Sequence, residues 1–192
     1  MPGLPAGLIH PHLVTSIRHM LAFALIPTEW GYFTLAASEK GVCGTILPTR
    51  SVRQAERRAR HRWPTAATQP ALLRELQEQI AAYFVGATVR FDAPLDLTGQ
   101  TEFRRTVLRL CAAIDYGTTK TYGQLAIEVG SPAAARAVGG AMAHNPIPLI
   151  IPCHRVLAAN GRLGGFSAEG GLALKARMLQ LEGVPRHRSH RR

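Results

Sequence analysis

Three short apolar runs, Leu21 to Ile26, Gly31 to Ala37 and Gly41 to Leu47, open the patterned part of the chain. They are β-prone and separated by the turn-forming stretches Pro27-Thr28-Glu29-Trp30 and Ser38-Glu39-Lys40, a spacing that predicts a small antiparallel meander with Cys43 packed inside it. The period then changes. Ser51 to Arg62 reads as an arginine-rich helix ending before Pro64, and Leu72, Leu73, Leu76, Ile80, Tyr83 and Phe84 recur at helical spacing in a second helix that stops at Gly86. That apolar stripe is assigned to the core, so residues 21–90 are expected to form a mixed α/β module.

Residues 91–98, with Pro94 and several turn-formers, read as a linker, and from 99 to 185 the pattern is mainly helical. Thr101 to Ile114 places Phe103, Val107, Leu108, Leu110, Cys111 and Ile114 largely on one side, which assigns Cys111 to the core. Tyr122 to Val129 and Pro132 to His144 follow as two short helices, with Ser131 as the expected cap and Pro132 in the first turn. Joined by Gly130-Ser131, they read as a helix-turn-helix. Asn145 to Val156 carries three prolines and an apolar run, which predicts an extended segment delivering Cys153. Asn160-Gly161 signals a tight turn compatible with a small hairpin or wing, and Gly164-Gly165 allows unusual backbone angles in the next loop. Gly171 to Leu181 restores helical periodicity and leaves Glu182 at its end. Residues 1–20 read as a loosely ordered extension and 186–192 as a basic tail. The expected fold class is α+β: a small N-terminal α/β module with an antiparallel sheet, then a mainly helical, winged-helix-like domain with a helix-turn-helix.

The 46% apolar and 18% charged residues place the chain among folded globular proteins. No apolar run approaches the roughly 20 residues that span a bilayer, and the N-terminal stretch lacks the pattern of a secretory signal. Three cysteines form an odd, sparse set, which argues against a disulfide framework and for a reducing, cytoplasmic compartment. The formal charge of +11 is concentrated: residues 50–62 hold six Arg against one Glu, residues 186–192 hold four more Arg, and the remainder is close to neutral. Such a run is either a solvated face or a contact for nucleic acid. His10, His12 and His19 near Cys43 do not make the close ligand spacing of structural zinc, so no metal is expected.

The third C-terminal helix has an unusual composition. Ala133, Ala134, Ala135, Ala137, Gly139, Gly140, Ala141 and Ala143 leave it without the long polar side chains that read base edges in a major groove, and Arg136 is its one long cation. It is either a buried helix that lets neighbours pack closely or a surface that approaches a partner without reading sequence. Cys153 has a similar ambiguity. A free cysteine is often a small core residue, yet a thiol flanked by His154 and Arg155 can have a lowered pKa and act as a nucleophile.

Pro152-Cys153-His154-Arg155-Val156, with Asn145-Pro146 upstream and Gly164-Gly165-Phe166-Ser167 downstream, resembles the active-site signature of the O6-alkylguanine-DNA alkyltransferases, the methylated-DNA-protein-cysteine methyltransferases. The resemblance is dense from about Thr98 to Gly183 and looser back to about Leu21. It implies direct repair of double-stranded DNA containing O6-alkylguanine, with O4-alkylthymine as a further candidate substrate. The damaged base is flipped out, its alkyl group moves irreversibly to Cys153, and no cofactor, membrane or obligate protein partner takes part; the chain acts as a monomer. By the same resemblance His154 takes the thiol proton through a water, Glu182 orients and charges that histidine, Asn145 holds the loop, and Tyr122 donates toward guanine N3. Val156, through its carbonyl, and Ser167, toward O6, line the pocket with Phe166 and Pro148. Arg136, with Ala135, Ala137 and Gly139, belongs to a helix that enters the minor groove, where the arginine fills the place of the flipped nucleotide. Two departures, Phe166 where many members have tyrosine and the extra Ala168-Glu169 in the pocket loop, bear on the size of alkyl group accepted.

Other readings follow from other features. A catalytically silent lesion-recognition protein would lack the nucleophile that Cys153 supplies. A Cys-His hydrolase fits poorly with adjacent Cys-His beside a helix-turn-helix, and a self-methylating transcription factor would need a further domain. Taken singly, Tyr122 could be packing, Asn145 a helix C-cap and Glu182 a solvated last-turn residue.

Overall fold

The computed structural model describes residues 21–185; the expected N-terminal extension with its three histidines and the basic tail lie outside the described residues. The meander forms as β1 (Ala22–Thr28), β2 (Gly31–Ser38) and β3 (Gly41–Thr49), with antiparallel pairing throughout. A two-residue strand, β4 (Ala67–Thr68), adds in parallel beside β1 and gives the order β3-β2-β1-β4. The period-2 alternation sorts side chains to two faces. Phe23, Leu25 and Ala36 meet Ala59 and Trp63 on one side, while Ile26, Phe33 and Leu35 enter the main core on the other.

Helix α1 (Val52–Arg62) covers the first face. Ser51 caps it by accepting from the Gln54 amide, and Arg60, His61 and Arg62 lie in its last turn, where cations complement the helix dipole. Gly44 has no substitute here, because a Cβ would sit 2.3 Å from the Trp63 ring. Cys43 is half-buried against this cluster. Helix α2 (Arg74–Phe84) packs on the opposite face through Leu76, Ile80, Tyr83 and Phe84.

The segment expected as a linker docks on the free edge of β3. The Val42 amide donates to the Pro94 carbonyl at 2.8 Å and the Asp96 amide donates back to the Val42 carbonyl at 2.8 Å, which satisfies backbone groups that a sheet edge otherwise leaves open. The C-terminal half contains α3 (Glu102–Ala112), β5 (Lys120–Thr121), α4 (Tyr122–Glu128), α5 (Ala135–Ala143), β6 (Val156–Leu157) and α6 (Gly171–Leu181). Strands β5 and β6 pair in parallel. One buried cluster runs from Phe33, Leu35, Tyr83 and Phe84 through Val107, Leu108 and Cys111 to Ile151 and Met178, so the sheet and the helical half share a core. No helix among the described residues is long and apolar enough to cross a membrane.

Three local expectations are corrected. Ser131 makes no side-chain cap; Pro132–Ala134 forms a 3₁₀ turn ahead of α5, so the helix starts later than its composition suggests. The Asn145–Val156 run is not extended: the Ile151 amide bonds back to the Ile147 carbonyl at 2.9 Å, Leu149 has φ 81°, and Cys153–Arg155 is a 3₁₀ turn. A left-handed leucine is unfavourable. It persists because Leu149 is fully packed in the core and the turn around it is bonded from both ends. Asn160-Gly161 makes a turn closed by the Ala158 amide on the Arg162 carbonyl, and no strand among the described residues follows it to pair back on β6.

Candidate active site

The proline-rich turn is held by the sheet half of the molecule. The Thr45 amide donates to the Pro146 carbonyl at 3.1 Å and the Thr45 hydroxyl to the Pro148 carbonyl at 2.6 Å, while Arg62 donates to the carbonyls of Thr45 and Pro146, both at 3.2 Å. Asn145 spans the turn from within: its Nδ2 donates to the Ile151 carbonyl at 2.8 Å and its Oδ1 accepts from the Ile147 amide at 3.0 Å. It is not the C-cap of α5, a place taken by His144. Bonded along its length, the turn sets Cys153 at the floor of a pocket.

That pocket has a volume of about 710 Å³; Tyr122, Ala135, Arg136 and Gly139 form one side, and Phe166 and Ser167 the other. The small residues of α5 explain the opening, since any long side chain there would fill it. Tyr122 leans on Gly164, where φ is +66° and a Cβ would lie 2.9 Å from the ring. Ser167 closes the loop by donating its hydroxyl to the Ala143 carbonyl at 2.8 Å. A second cleft of about 970 Å³ reaches Cys153 from the sheet side, past Asn145, Pro148 and the arginines Arg50, Arg58 and Arg62. Arg58 also forms an ion pair with Glu169 of the pocket loop. Part of the basic segment therefore braces the site.

Behind the thiol lies a buried polar network. His154 is fully buried, and its Nε2 lies 2.7 Å from Glu182 Oε1. A carboxylate can only accept, so Nε2 carries the proton and Nδ1 keeps its lone pair. Nδ1 is buried and has no hydrogen-bond partner among the described residues. Glu182 also accepts from Arg155, through Nε at 2.8 Å and Nη2 at 3.0 Å, from the Gly117 amide at 3.1 Å, and from the Tyr83 hydroxyl at 2.8 Å. Against burial, which raises it, His154 and Arg155 hold the Glu182 carboxyl down at about 2. A glutamate capping the C-terminus of α6 opposes the helix dipole. It is tolerated because the arginine and the other donors outweigh that cost.

The thiol departs from expectation. Burial pushes the Cys153 thiol up, against smaller lowering contributions from the Asn145 side chain and Lys175, and Arg155 turns away to Glu182 and the Ile114 carbonyl. Burial likewise lowers His154 below its ordinary 6.5. At rest the pair is a neutral thiol beside a neutral imidazole.

The geometry thus brings Tyr122, Ala135, Arg136, Gly139, Phe166 and Ser167 around Cys153, with Asn145 and Pro148 on the adjoining cleft and His154 and Glu182 behind. Val156 is buried and lines neither opening; its carbonyl accepts from Lys175 Nζ at 2.6 Å. Ala137 lies exposed on α5 outside the pocket. Sequence reasoning missed Lys175, which is fully buried, bonds Val156 and faces the Gly165 carbonyl at 3.3 Å; its ammonium is lowered to about 8 by burial. The signal was its spacing to Met178, Leu179 and Glu182, one face of α6. Tyr83 was assigned to core packing alone. No group of three or more histidines, cysteines or carboxylates capable of holding a metal occurs among the described residues.

Both halves of the chain are similar to known proteins. Residues 21–97 match the family profile of the 6-O-methylguanine DNA methyltransferase ribonuclease-like domain, and residues 102–184 that of its DNA binding domain. A methylated-DNA-protein-cysteine methyltransferase of Mycolicibacterium paratuberculosis is 39% identical over 163 residues, covering 85% of this chain and 93% of the relative. The crystal structure of Mycobacterium tuberculosis O6-methylguanine methyltransferase superposes with a TM-score of 0.69 at 37% identity, over 85% of this chain and 93% of that one. A structure of Mycobacterium tuberculosis OGT in complex with DNA gives the same TM-score and identity over 84% and 92%. With similarity of this extent across both halves, the chain belongs to the methylated-DNA-protein-cysteine methyltransferase family.

Proposed function

We propose that this chain repairs DNA by moving the alkyl group of O6-alkylguanine onto Cys153, once per molecule. The observation that carries the reading is Cys153 on the wall of an open pocket, with the bonded His154–Glu182 pair buried behind it and the Nδ1 of His154 without a partner among the described residues. The sulfur attacks the alkyl carbon as the carbon–oxygen bond breaks. The thiol proton passes by way of a water to Nδ1, and Glu182 stabilises the imidazolium that forms. Guanine leaves with the bonding electrons, its developing charge met by the Tyr122 hydroxyl at N3; it takes up one proton from water and His154 returns one, so the thiol proton is balanced by the proton on the released base. Both partners begin neutral, so the thiolate arises only during reaction; this protects a buried cysteine from wasteful oxidation. The carbonyl of Val156, set back from both openings and held by Lys175, must be uncovered to meet the base, and the Ser167 hydroxyl must leave the Ala143 carbonyl to reach O6.

The base reaches this pocket by flipping, with α5 in the minor groove and Arg136 in the vacated stack. Exposed Arg136 on a small-residue surface supports that reading, as does the absence of base-reading side chains on the helix. The O4-alkylthymine adduct fits the same chemistry. We read the protein as a monomer needing no cofactor, acting on duplex DNA inside the cell.

Two measurements test this. Titrating the protein with excess O6-methylguanine duplex is expected to stop at one methyl per chain, because a thioether is a poor leaving group; many turnovers per molecule would refute the suicide reaction. Arg136→Ala is expected to slow repair of duplex DNA on the order of ten-fold or more while sparing transfer from free O6-benzylguanine, which needs no unstacking. Equal losses on both substrates would assign Arg136 to the fold or the pocket.

A further inference from the structure

Tyr83 lies on α2, far in sequence from the cysteine, and is fully buried. Its ring is fixed by edge contacts with Phe84 and Tyr116 at 5.2 and 6.1 Å and a tilted contact with Phe91 at 6.1 Å. Its hydroxyl donates to Glu182 Oε1 at 2.8 Å, the same oxygen that accepts from His154 Nε2 at 2.7 Å. The hydroxyl and Nε2 are 3.5 Å apart because both converge on one acceptor, which also accepts from Arg155 Nη2 at 3.0 Å. Burial and the neighbouring carboxylate push the phenol far above its ordinary range, so it remains a donor throughout the working pH.

We propose that Tyr83 is a positioning residue for the transfer reaction, through which the N-terminal half sets how strongly Glu182 draws a proton onto His154. This rests on the reading of His154 as the base. A carboxylate oxygen shared between two donors gives less to each than one devoted to the imidazole. By sharing Oε1, Tyr83 limits the basicity of His154 and keeps the ring neutral at rest, ready to receive the thiol proton.

The other groups facing this network act in fixed directions. Arg155 and Lys175 both lower His154, Glu182 raises it, and Tyr116 and Arg155 act on the phenol itself. Arg155 binds both carboxylate oxygens and is the larger counter-charge. Tyr83 differs in being a neutral donor, so its removal changes the sharing of Oε1 without changing the local charge. The N-terminal half is thereby part of the catalytic network as well as its support.

The test is Tyr83→Phe, which keeps the ring packing. Transfer to Cys153 is expected still to run to one methyl per chain, which separates this proposal from the reading of the reaction itself. The acidic limb of the rate against pH is expected to move upward by roughly half to one unit, the worth of one neutral hydrogen bond. At a fixed pH on that limb the rate then falls about three- to ten-fold. Thermal unfolding of both proteins is measured alongside. An acidic limb that stays in place, or moves downward, overturns the proposal whether or not the melting temperature drops. Site-specific replacement of Tyr83 by 3-fluorotyrosine, a stronger donor of nearly the same size, is expected to shift the limb the opposite way; failure to do so overturns it equally if the phenylalanine variant does not fold.

Discussion

Cys153→Ala is expected to abolish methyl transfer entirely while leaving DNA binding in place. Among the three cysteines only Cys153 lines the pocket. Cys111 is fully buried in the core, and burial pushes its thiol well above the ordinary value of 9.0; Cys43 lies against the α1 face of the sheet, where burial and Asp96 also raise its thiol. Neither lines the pocket that holds Cys153. Intact-mass measurement after incubation with O6-methylguanine duplex is expected to show one added methyl on the wild type, Cys43→Ala and Cys111→Ala, and none on Cys153→Ala. Loss of the adduct in a folded Cys111→Ala, or an adduct surviving in Cys153→Ala, would place the nucleophile elsewhere. The alanine variant should also keep its binding curve on unmodified duplex, since the substitution leaves Arg136 exposed on α5.

The second large effect is expected from Glu182→Gln. The neutral amide no longer stabilises the imidazolium, so transfer should slow on the order of 10²–10⁴-fold, the usual worth of a positioned acid–base pair. Stability should fall too, by about 3–5 kcal/mol, because Arg155 is left buried without its counter-charge. The pH dependence has a definite sign. The Glu182 carboxyl titrates at about 2 in the folded protein against an ordinary value of 4.5. Its contribution, about 3 kcal/mol on that displacement, is therefore fully present above about pH 4.5 and lost as the pH falls toward 2. His154 is lowered from 6.5 by burial, so the unfolded chain binds its proton first and stability already declines below about that pH. Denaturant unfolding from pH 7 to 3 should show a steep loss in the wild type and a flatter one in Glu182→Gln. Parallel curves would mean that the carboxylate is not the group that couples folding to acid.

Much of this molecule is already written in its residue pattern. The period-2 runs from Leu21 to Leu47 specify a meander, since only alternation sorts Phe23 and Phe33 to opposite faces of one sheet. The stripe from Leu76 to Phe84 specifies a helix, and Gly171 to Leu181 matches α6 at both ends. The alanines and glycines around Arg136 indicated a helix made for close approach. Local signals of this kind are set by backbone sterics and by side-chain period, and both act within a few residues. Cys153, His154 and Glu182 were singled out by the resemblance of the signature at 152–156 and its surroundings to the family, which residue period alone does not supply.

Only the tertiary structure decided where polar groups find partners across long separations. Arg155 sits beside Cys153 in the chain and suggested a lowered thiol, yet it spends its guanidinium on Glu182, and burial then raises the thiol instead. Tyr83 occupied an apolar stripe and read as packing, and Lys175 was passed over, because sequence period reports which face is buried but not what a buried hydroxyl or ammonium meets there. The Asn145–Val156 turn was expected to be extended from its prolines. It is folded back because Thr45 and Arg62, a hundred and more than eighty residues earlier, accept the cost of bonding its carbonyls. Hydrogen bonds and charges in a low-dielectric interior depend on distances that close only when the two halves share one core, and that core is where the sequence pattern ends and the active site begins.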